Sequence, residues 1–473
     1  MSARTGRRAS TAFAVAWVAY FAVLQWSVVQ YRVPIVVVLV ACAASLAAWQ
    51  VGRAQVVLSP PVVAAMLVGA AVVTLTVPLF TYLDPGPLLV ARGTLALGAV
   101  ATAALLWSGR EGPALVGVWV SVLAYVVAGV VAVTRDPAPE IDVWVTLQQA
   151  SDALAGGQNI YEATWQGSPG IQDAFTYLPF TAVLLAPGRW LVGDVRWALI
   201  GWTLIAAVGV WALAGRERAA RARGRQVRGG QVRGGQAPGG ELGPRWRAAA
   251  VVAGLQLAPG TLTQLDQAWT EPLLLAGLVW WAVLVDRGRA WWAVIPLALA
   301  CASKQHLALL LPVLLVWRPF GVQRTLATAA AAGLLIAPWF AAGPQAFLDD
   351  TVGLLVTFHP ILFANTLYLL ALNTFGVTLP FWVTGLVVLG ALAGVTAVVL
   401  RRQPELPDLL RWLALLLLIA NLMNKQAFYN QYWLVGMLVL VSLARPPGAT
   451  RATPDLSGAE RVDGAPGPAA RLG

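Results

Sequence analysis

The reading of the fold turns on Ala114-Leu-Val-Gly-Val-Trp-Val-Ser-Val-Leu-Ala-Tyr-Val-Val-Ala-Gly-Val-Val-Ala-Val-Thr134, followed at once by Arg135-Asp-Pro-Ala-Pro-Glu-Ile-Asp-Val-Trp144. Twenty-one residues pass without a charge, the length an α-helix needs to cross a bilayer, about 20. Four acids then lie just beyond the apolar run: Asp136, Glu140, Asp142 and Asp152. Solvated carboxylates at a membrane surface cost little, so a wet loop is the plain alternative. The rest of the chain has to decide between that and a site.

Working outward, the same pattern repeats. Of 473 residues, 59% are hydrophobic and 11% charged, and the mean hydropathy is +0.71. The charges form short islands between apolar runs of membrane-spanning length, which excludes a set of soluble domains and the ten-residue alternation of a transmembrane β-barrel. The first run follows Arg4, Arg7 and Arg8 as a signal peptide would, yet no small-residue cleavage site follows it, so it is expected to be retained. The net charge of +11 comes almost wholly from arginine. It tracks one set of loops and so reports orientation rather than nucleic-acid binding. Cys42 and Cys301 each sit inside an apolar run and read as packing thiols. With only two histidines, His306 and His359, no metal-ligand spacing is present.

The spans read 11–30, 34–50, 60–80, 88–107 and 114–134, and the arginines between them place the acidic loop outside the cytoplasm. In that loop, 142–154 has the pattern of an amphipathic helix ended by Gly156-Gly157. The apolar stretch 175–192 contains Pro179, Pro187 and Arg189. A second crossing there would put nine arginines of 216–247 outside, so the stretch is expected to be an interfacial helix. The loop 215–247 repeats Gln-Val-Arg-Gly-Gly and reads as a disordered cytoplasmic connector. Spans at 196–214, 246–262, 271–285, 290–302, 307–317, 325–341, 380–400, 406–422 and 432–444 follow, with a membrane-associated outer segment at 342–379. The expected fold is an all-α polytopic membrane protein of about fourteen transmembrane helices. Both ends lie in the cytoplasm, with a disordered tail over 446–473.

On this topology the unusual polar residues collect at one surface. They are Asp136, Glu140, Asp142, Tyr161, Arg196, Gln264, Asp266, Gln267, Glu271, Lys304, Gln305, His306, His359, Asn421, Asn424, Lys425 and Gln426. In a membrane such a cluster defaults to a functional site; decoration of helix ends is the alternative. Lys304 and Lys425 are the only lysines among 32 basic residues, and each is followed by glutamine. A compact ammonium beside amide donors suits a phosphate.

Several of these residues resemble a known family. Asp142 with an aromatic two residues on, Leu154-x-x-Gly157 and Asn159-x-Tyr161 resemble the first outer loop of GT-C integral-membrane glycosyltransferases, above all the actinobacterial polyprenol-phosphate-mannose-dependent mannosyltransferases. Tyr177-x-Pro179 followed by Ala182-x-x-Leu185-x-x-Pro187 is similar to the Tyr-Pro-Pro helix of that loop, and Gly193-Asp-Val-Arg196 to the stretch entering the next span. Two departures stand out. The motif reads Tyr-Leu-Pro here, and four spans precede the one that would open the core.

The resemblance implies a GT-C-like core over 114–445, with its catalytic outer loop at 135–195 and juxtamembrane helices in it, and makes 1–113 an N-terminal four-helix extension. It implies a plasma-membrane hexosyltransferase with its site facing out. Mannose would pass from a polyprenyl-phosphate donor to a cell-envelope glycolipid or glycan acceptor, with inversion. Asp142 would be the general base, with Glu140 as the alternative. Substrate contacts would come from Tyr161, Tyr177, Arg196, Asp266, Glu271, Lys304, Gln305, His306, His359, Asn424, Lys425 and Gln426. The lipid-linked sugar is a substrate, and neither a cofactor nor a metal is expected. A lipid-linked-sugar flippase or other transporter is the competing reading. It would favour polar groups at mid-bilayer and two matching halves.

Overall fold

The computed structural model of the chain describes residues 3–52, 55–215 and 242–445. The arginine-glycine repeat and the tail after Arg445, both expected to be disordered, lie outside the described residues. Among the described residues the protein is helical and contains no strand. Five long helices open it: α1 (Ala3–Ser27), α2 (Val33–Gly52), α3 (Pro60–Thr76), α4 (Pro85–Trp107) and α5 (Glu111–Arg135). The acidic loop then carries α6 (Asp142–Ala155) and α7 (Phe180–Val192) before α8 (Arg196–Ala214). After the undescribed segment come α9 (Pro244–Gln256), the short α10 (Thr261–Asp266), α11 (Glu271–Asp286) and α12 (Val294–Cys301). A 3₁₀ turn over Gln305–Leu310 leads into α13 (Leu311–Val316). The chain ends with α14 (Gly321–Ala342), α15 (Pro344–Leu348), α16 (Leu354–Thr357), α17 (Leu367–Phe375), α18 (Phe381–Arg402), α19 (Leu406–Met423) and α20 (Tyr429–Val441).

Eight of the described helices, α1, α2, α4, α5, α8, α14, α18 and α19, are long and apolar enough to cross a membrane. The chain is a multi-pass α-helical membrane protein. In such a protein apolar surface belongs both in the core and against lipid, and polar side chains turn inward. The helices divide accordingly. Four-fifths of the best apolar window of α19 is buried inside the bundle, against about a tenth for α18, which is the more apolar of the two.

One buried apolar core runs from Phe13 on α1 to Ala444, so α1–α4 pack into the same body as the later helices. Side chains stitch them in. The Tyr20 hydroxyl donates to the Tyr432 carbonyl (2.6 Å), and the Asn365 amide donates to the Gln30 carbonyl (2.7 Å) while its oxygen accepts from Arg32 N (2.9 Å). Gln50 donates to the Asp408 carbonyl and accepts from Arg411. These bonds satisfy polar groups that lipid would leave unpaired.

Three local features differ from the expected spans and position the site. The helix expected to reach residue 262 stops at Gln256, because Pro259 cannot continue it and Gly260 turns left-handed at φ 84°. A Cβ at Gly260 would lie 2.4 Å from the Tyr429 ring, and the Tyr429 hydroxyl donates to the Pro259 carbonyl (2.9 Å). The expected pair 290–302 and 307–317 is shorter still, α12 being a helix of eight residues. The break after α12 is filled from the acidic loop: Ser303 O accepts from Leu178 N and from the Thr181 hydroxyl, and Ala302 O from Phe180 N. Finally α7 is a helix of 13 residues with Pro187 inside it. The Trp202 indole donates to Leu184 O (3.0 Å) and Gly188 touches Ala198. So α7 folds back along the first turns of α8.

Candidate functional site

Two polar clusters meet at the end of the bundle where α5 stops and α8 begins. The first is built on Arg196. A cation at a helix N-terminus opposes the helix dipole, and here it is compensated by Asp194. Arg196 Nη2 lies 2.7 Å from Asp194 Oδ2, and its backbone N donates to Asp194 Oδ1 (2.8 Å). Nη2 also donates to the Asp136 carbonyl (2.6 Å), and the guanidinium stands 5.8 Å over the Trp144 ring. The Trp144 indole donates to Asp194 (3.1 Å), and Gln148 bridges Gly193 O and Val195 N. Helix α6 is thereby fixed across the α7–α8 turn. Arg196 is wholly buried.

Asp266, on α10, faces this group. It is fully buried; its Oδ1 lies 4.0 Å from Arg196 Nη1. Its Oδ2 accepts from the Thr81 hydroxyl (2.8 Å) and from Tyr82 N (3.2 Å). Burial raises its carboxyl above the usual range. Asp136 meets Asp266 carboxyl to carboxyl, and burial, then the Asp266 charge, push Asp136 up to about 6. The Tyr82 phenol stands among Asp142, Asp266, Glu140 and Asp136, and burial first, then these acids, push it up to about 12.

The second cluster is built on Glu271, the first residue of α11, where the helix dipole favours an acid. Both of its oxygens accept from Asn430 Nδ2 at 2.9 Å, and Lys304 Nζ donates to Oε1. Glu271 is wholly buried and Lys304 nearly so. The Lys304 ammonium stands 5.4 Å from the Tyr177 ring centre. Lys304 and Tyr177 come together because the loop segment 176–181 docks on the helix break after α12, where Gln305 donates to Thr176 O (2.9 Å).

Asp142 also lies near Tyr177. Burial, then the Asp142 and Glu271 charges, hold the Tyr177 phenol well above its usual range. Asp142 opens α6, and its Oδ1 accepts from Val143 N (2.8 Å). A Cβ at Gly170 would stand 2.5 Å from Asp142 Oδ2, so the loop needs glycine to approach the carboxylate. Asp142 is half-buried, and burial raises its carboxyl against three backbone hydrogen bonds.

The residues singled out in the sequence therefore separate. Asp142, Tyr177, Glu271 and Lys304 form one continuous patch, and Arg196, Asp266 and Asp136 an adjoining one. Tyr161 is buried below, donating to Tyr177 O (2.9 Å), and Glu140 is exposed. His306 is half-buried beside Gln305. The others make a different group. Lys425 Nζ donates to the carbonyls of Val356 (3.0 Å) and Phe358, His359 stacks on Phe358 at 4.3 Å, and Gln426 N donates to Asn424 Oδ1 (3.0 Å).

Sequence reasoning missed Thr81 and Tyr82, which it had left in the connector between the spans 60–80 and 88–107. Only their polar character at the end of an apolar run, beside Asp84, could have signalled them. No protein-family model matches this chain, and no curated protein matches it.

Proposed function

We propose that the protein is a GT-C-type glycosyltransferase of the plasma membrane, moving mannose from a polyprenyl-phosphate donor to a cell-envelope glycolipid or glycan. The observation that carries the reading is Tyr177, whose phenol feels the charges of both the half-buried Asp142 and Glu271 and whose ring centre stands 5.4 Å from the Lys304 ammonium. Inverting glycosyl transfer from a lipid phosphate needs a base at one edge of the sugar and a cation at the other. Asp142 takes the proton of the acceptor hydroxyl as its oxygen attacks the anomeric carbon. The bond from that carbon to the phosphate oxygen breaks, and the configuration inverts. Lys304 faces the leaving phosphate. An ammonium has three donors, and Glu271 Oε1 and Thr270 Oγ1 (3.4 Å) take two of them, which leaves one for a phosphate oxygen. Arg196 orders the loop, through Asp194 and the Asp136 carbonyl.

In this reading the shorter apolar helices α3, α9, α11–α13 and α20 cross as well, giving about fourteen passes. The acid-bearing end faces outward, away from Arg110, Arg287, Arg289, Arg401 and Arg402. Cysteines placed at Asp173 and Ser108, in a chain without Cys42 and Cys301, should label from opposite sides of the intact cell.

The experiment for the chemistry uses purified protein in detergent with polyprenyl-phosphate mannose and a glycolipid acceptor. Transfer, or slow hydrolysis of the donor without acceptor, is the expected result. Donor that stays intact here, yet crosses the bilayer when the protein is reconstituted in vesicles, would replace the enzyme reading with the transporter one.

A further inference from the structure

Beside the Asp142 patch lies a knot of polar atoms that the transfer chemistry does not use. Three buried atoms in it have no hydrogen-bond partner: Asp136 Oδ2, Asp266 Oδ1 and Arg196 Nη1. Burying such atoms unpaired is costly, and the two carboxyl oxygens among them call for an explanation. The two carboxyl groups face each other, and Asp266 Oδ1 stands 4.0 Å from the guanidinium nitrogen. The remaining oxygen of Asp266 is committed to Thr81 and Tyr82 N. Arg196 is committed to Asp194 and the Asp136 carbonyl, so a single guanidinium already balances Asp194 and leaves two facing acids.

We propose that Asp136 and Asp266 hold one proton between their facing, otherwise unpartnered oxygens, forming a proton-binding site that clasps the start of the acidic loop to α10 and the α3–α4 turn. A proton gives each oxygen a partner at once, one as donor and one as acceptor, and neighbouring like charges disfavour ionisation of both acids. A metal cation fits less well. The cluster supplies it one free oxygen from each acid, and Arg196 Nη1 lies within 4.0 Å of one of them.

The groups facing the pair are Arg196 from α8, with Asp194 behind it, Thr81 and Tyr82 from the α3–α4 turn, and Gln267 from α10's own end. Glu140 and Asp142 stand farther along the loop, around Tyr82. All the fixed acids favour retention of the proton; Arg196 opposes it.

Asp136 binds its proton more tightly in the folded state than in an unfolded chain, where a carboxyl titrates near 4. The stability it contributes is therefore complete below about pH 4 and is lost as pH rises through about 6. The clasp loosens in that window, and with it the hold of α1–α4 on the acidic loop.

The test needs no substrate, so it stands or falls apart from the glycosyltransferase reading. The full chain in detergent is melted at a series of pH values between about 5 and 7, as wild type and as Asp136→Asn. The asparagine amide donates a permanent N–H to Asp266 in place of the shared proton. The variant should melt above wild type at the upper end of the range and show a shallower fall with pH. Asp350 is also raised to about 6 by burial, so the difference between the two slopes, not either slope alone, carries the answer. Superimposable slopes, with the variant melting lower throughout, would overturn the proposal. Infrared spectra of the folded wild type give a second measurement that does not depend on the variant folding. In wild type and in an Asp350→Asn background, which removes the other acid raised to about 6, a protonated-carboxyl C=O band should be present at the lower pH and lost at the upper. A spectrum that contains none at the lower pH removes the shared proton.

Discussion

Lys304 and Lys425 occupy two kinds of ground at the same end of the molecule. Lys304 lies inside the bundle, its ammonium on the wholly buried Glu271 and over the Tyr177 ring. Lys425 lies on the rim, half-exposed, donating to two backbone carbonyls of the segment before His359. A buried ion pair is costly to form and far more costly to break, because the abandoned partner stays charged in a dry place. A rim lysine on carbonyls can be lost to water at little expense. The central charge is therefore held by its partner, and the rim charge secures a loop.

That contrast can be broken most directly by Lys304→Met. It leaves Glu271 buried and unpaired, and should cost about 3–5 kcal/mol of stability, read as a denaturant or thermal midpoint in detergent. Adding Glu271→Gln to it should restore much of the loss, since no charge is then stranded. A single variant as stable as wild type would mean that the pair is solvated and the contrast false.

Next in size is Asp142→Asn, which keeps shape and hydrogen bonding but removes the proton acceptor. Turnover of polyprenyl-phosphate mannose should fall about a hundredfold or more at an unchanged melting temperature. Glu140→Gln, at an exposed position, should stay within about twofold of wild type. The reverse pattern would move the base to Glu140 and leave the rest of the patch intact.

A smaller effect is expected at the junction with the N-terminal helices. Thr81→Val removes one neutral donor from the buried Asp266, worth roughly 1.5–3 kcal/mol where the acceptor is charged and about 1 kcal/mol where it is protonated. Melting at low and at high pH separates the two values. The smallest effect belongs to Lys425→Met, under about 1 kcal/mol in stability, with donor kinetics changed by less than about twofold. A tenfold weaker donor affinity in Lys425→Met would place the rim lysine on the lipid phosphate beside Lys304 and make the two equal after all.

The sequence treated these lysines as a matched pair because each precedes glutamine at the same helix end, and nothing local to either dipeptide says which is covered. Helix α6 was legible, since its amphipathic pattern and the Gly156-Gly157 stop are local, and it forms over Asp142–Ala155. The early stop of α9 was partly so, as Pro259-Gly260 stood in the sequence inside an otherwise apolar run. What could not be read was the alignment of Thr81 with Asp266, 185 residues apart, or of Asn430 with Glu271, 159 apart.

Sequence by itself determined that this chain is a helical membrane protein, where most of its apolar segments begin and end, and which residues lie near helix ends. Those properties follow from hydrophobic length along the membrane normal, which each segment carries alone. The tertiary structure decided which helices are central and which face lipid, and therefore which of many polar residues at one level meet. Hydropathy fixes a residue's depth but not its direction around the helix axis, and only the packing of one helix against another supplies that second coordinate.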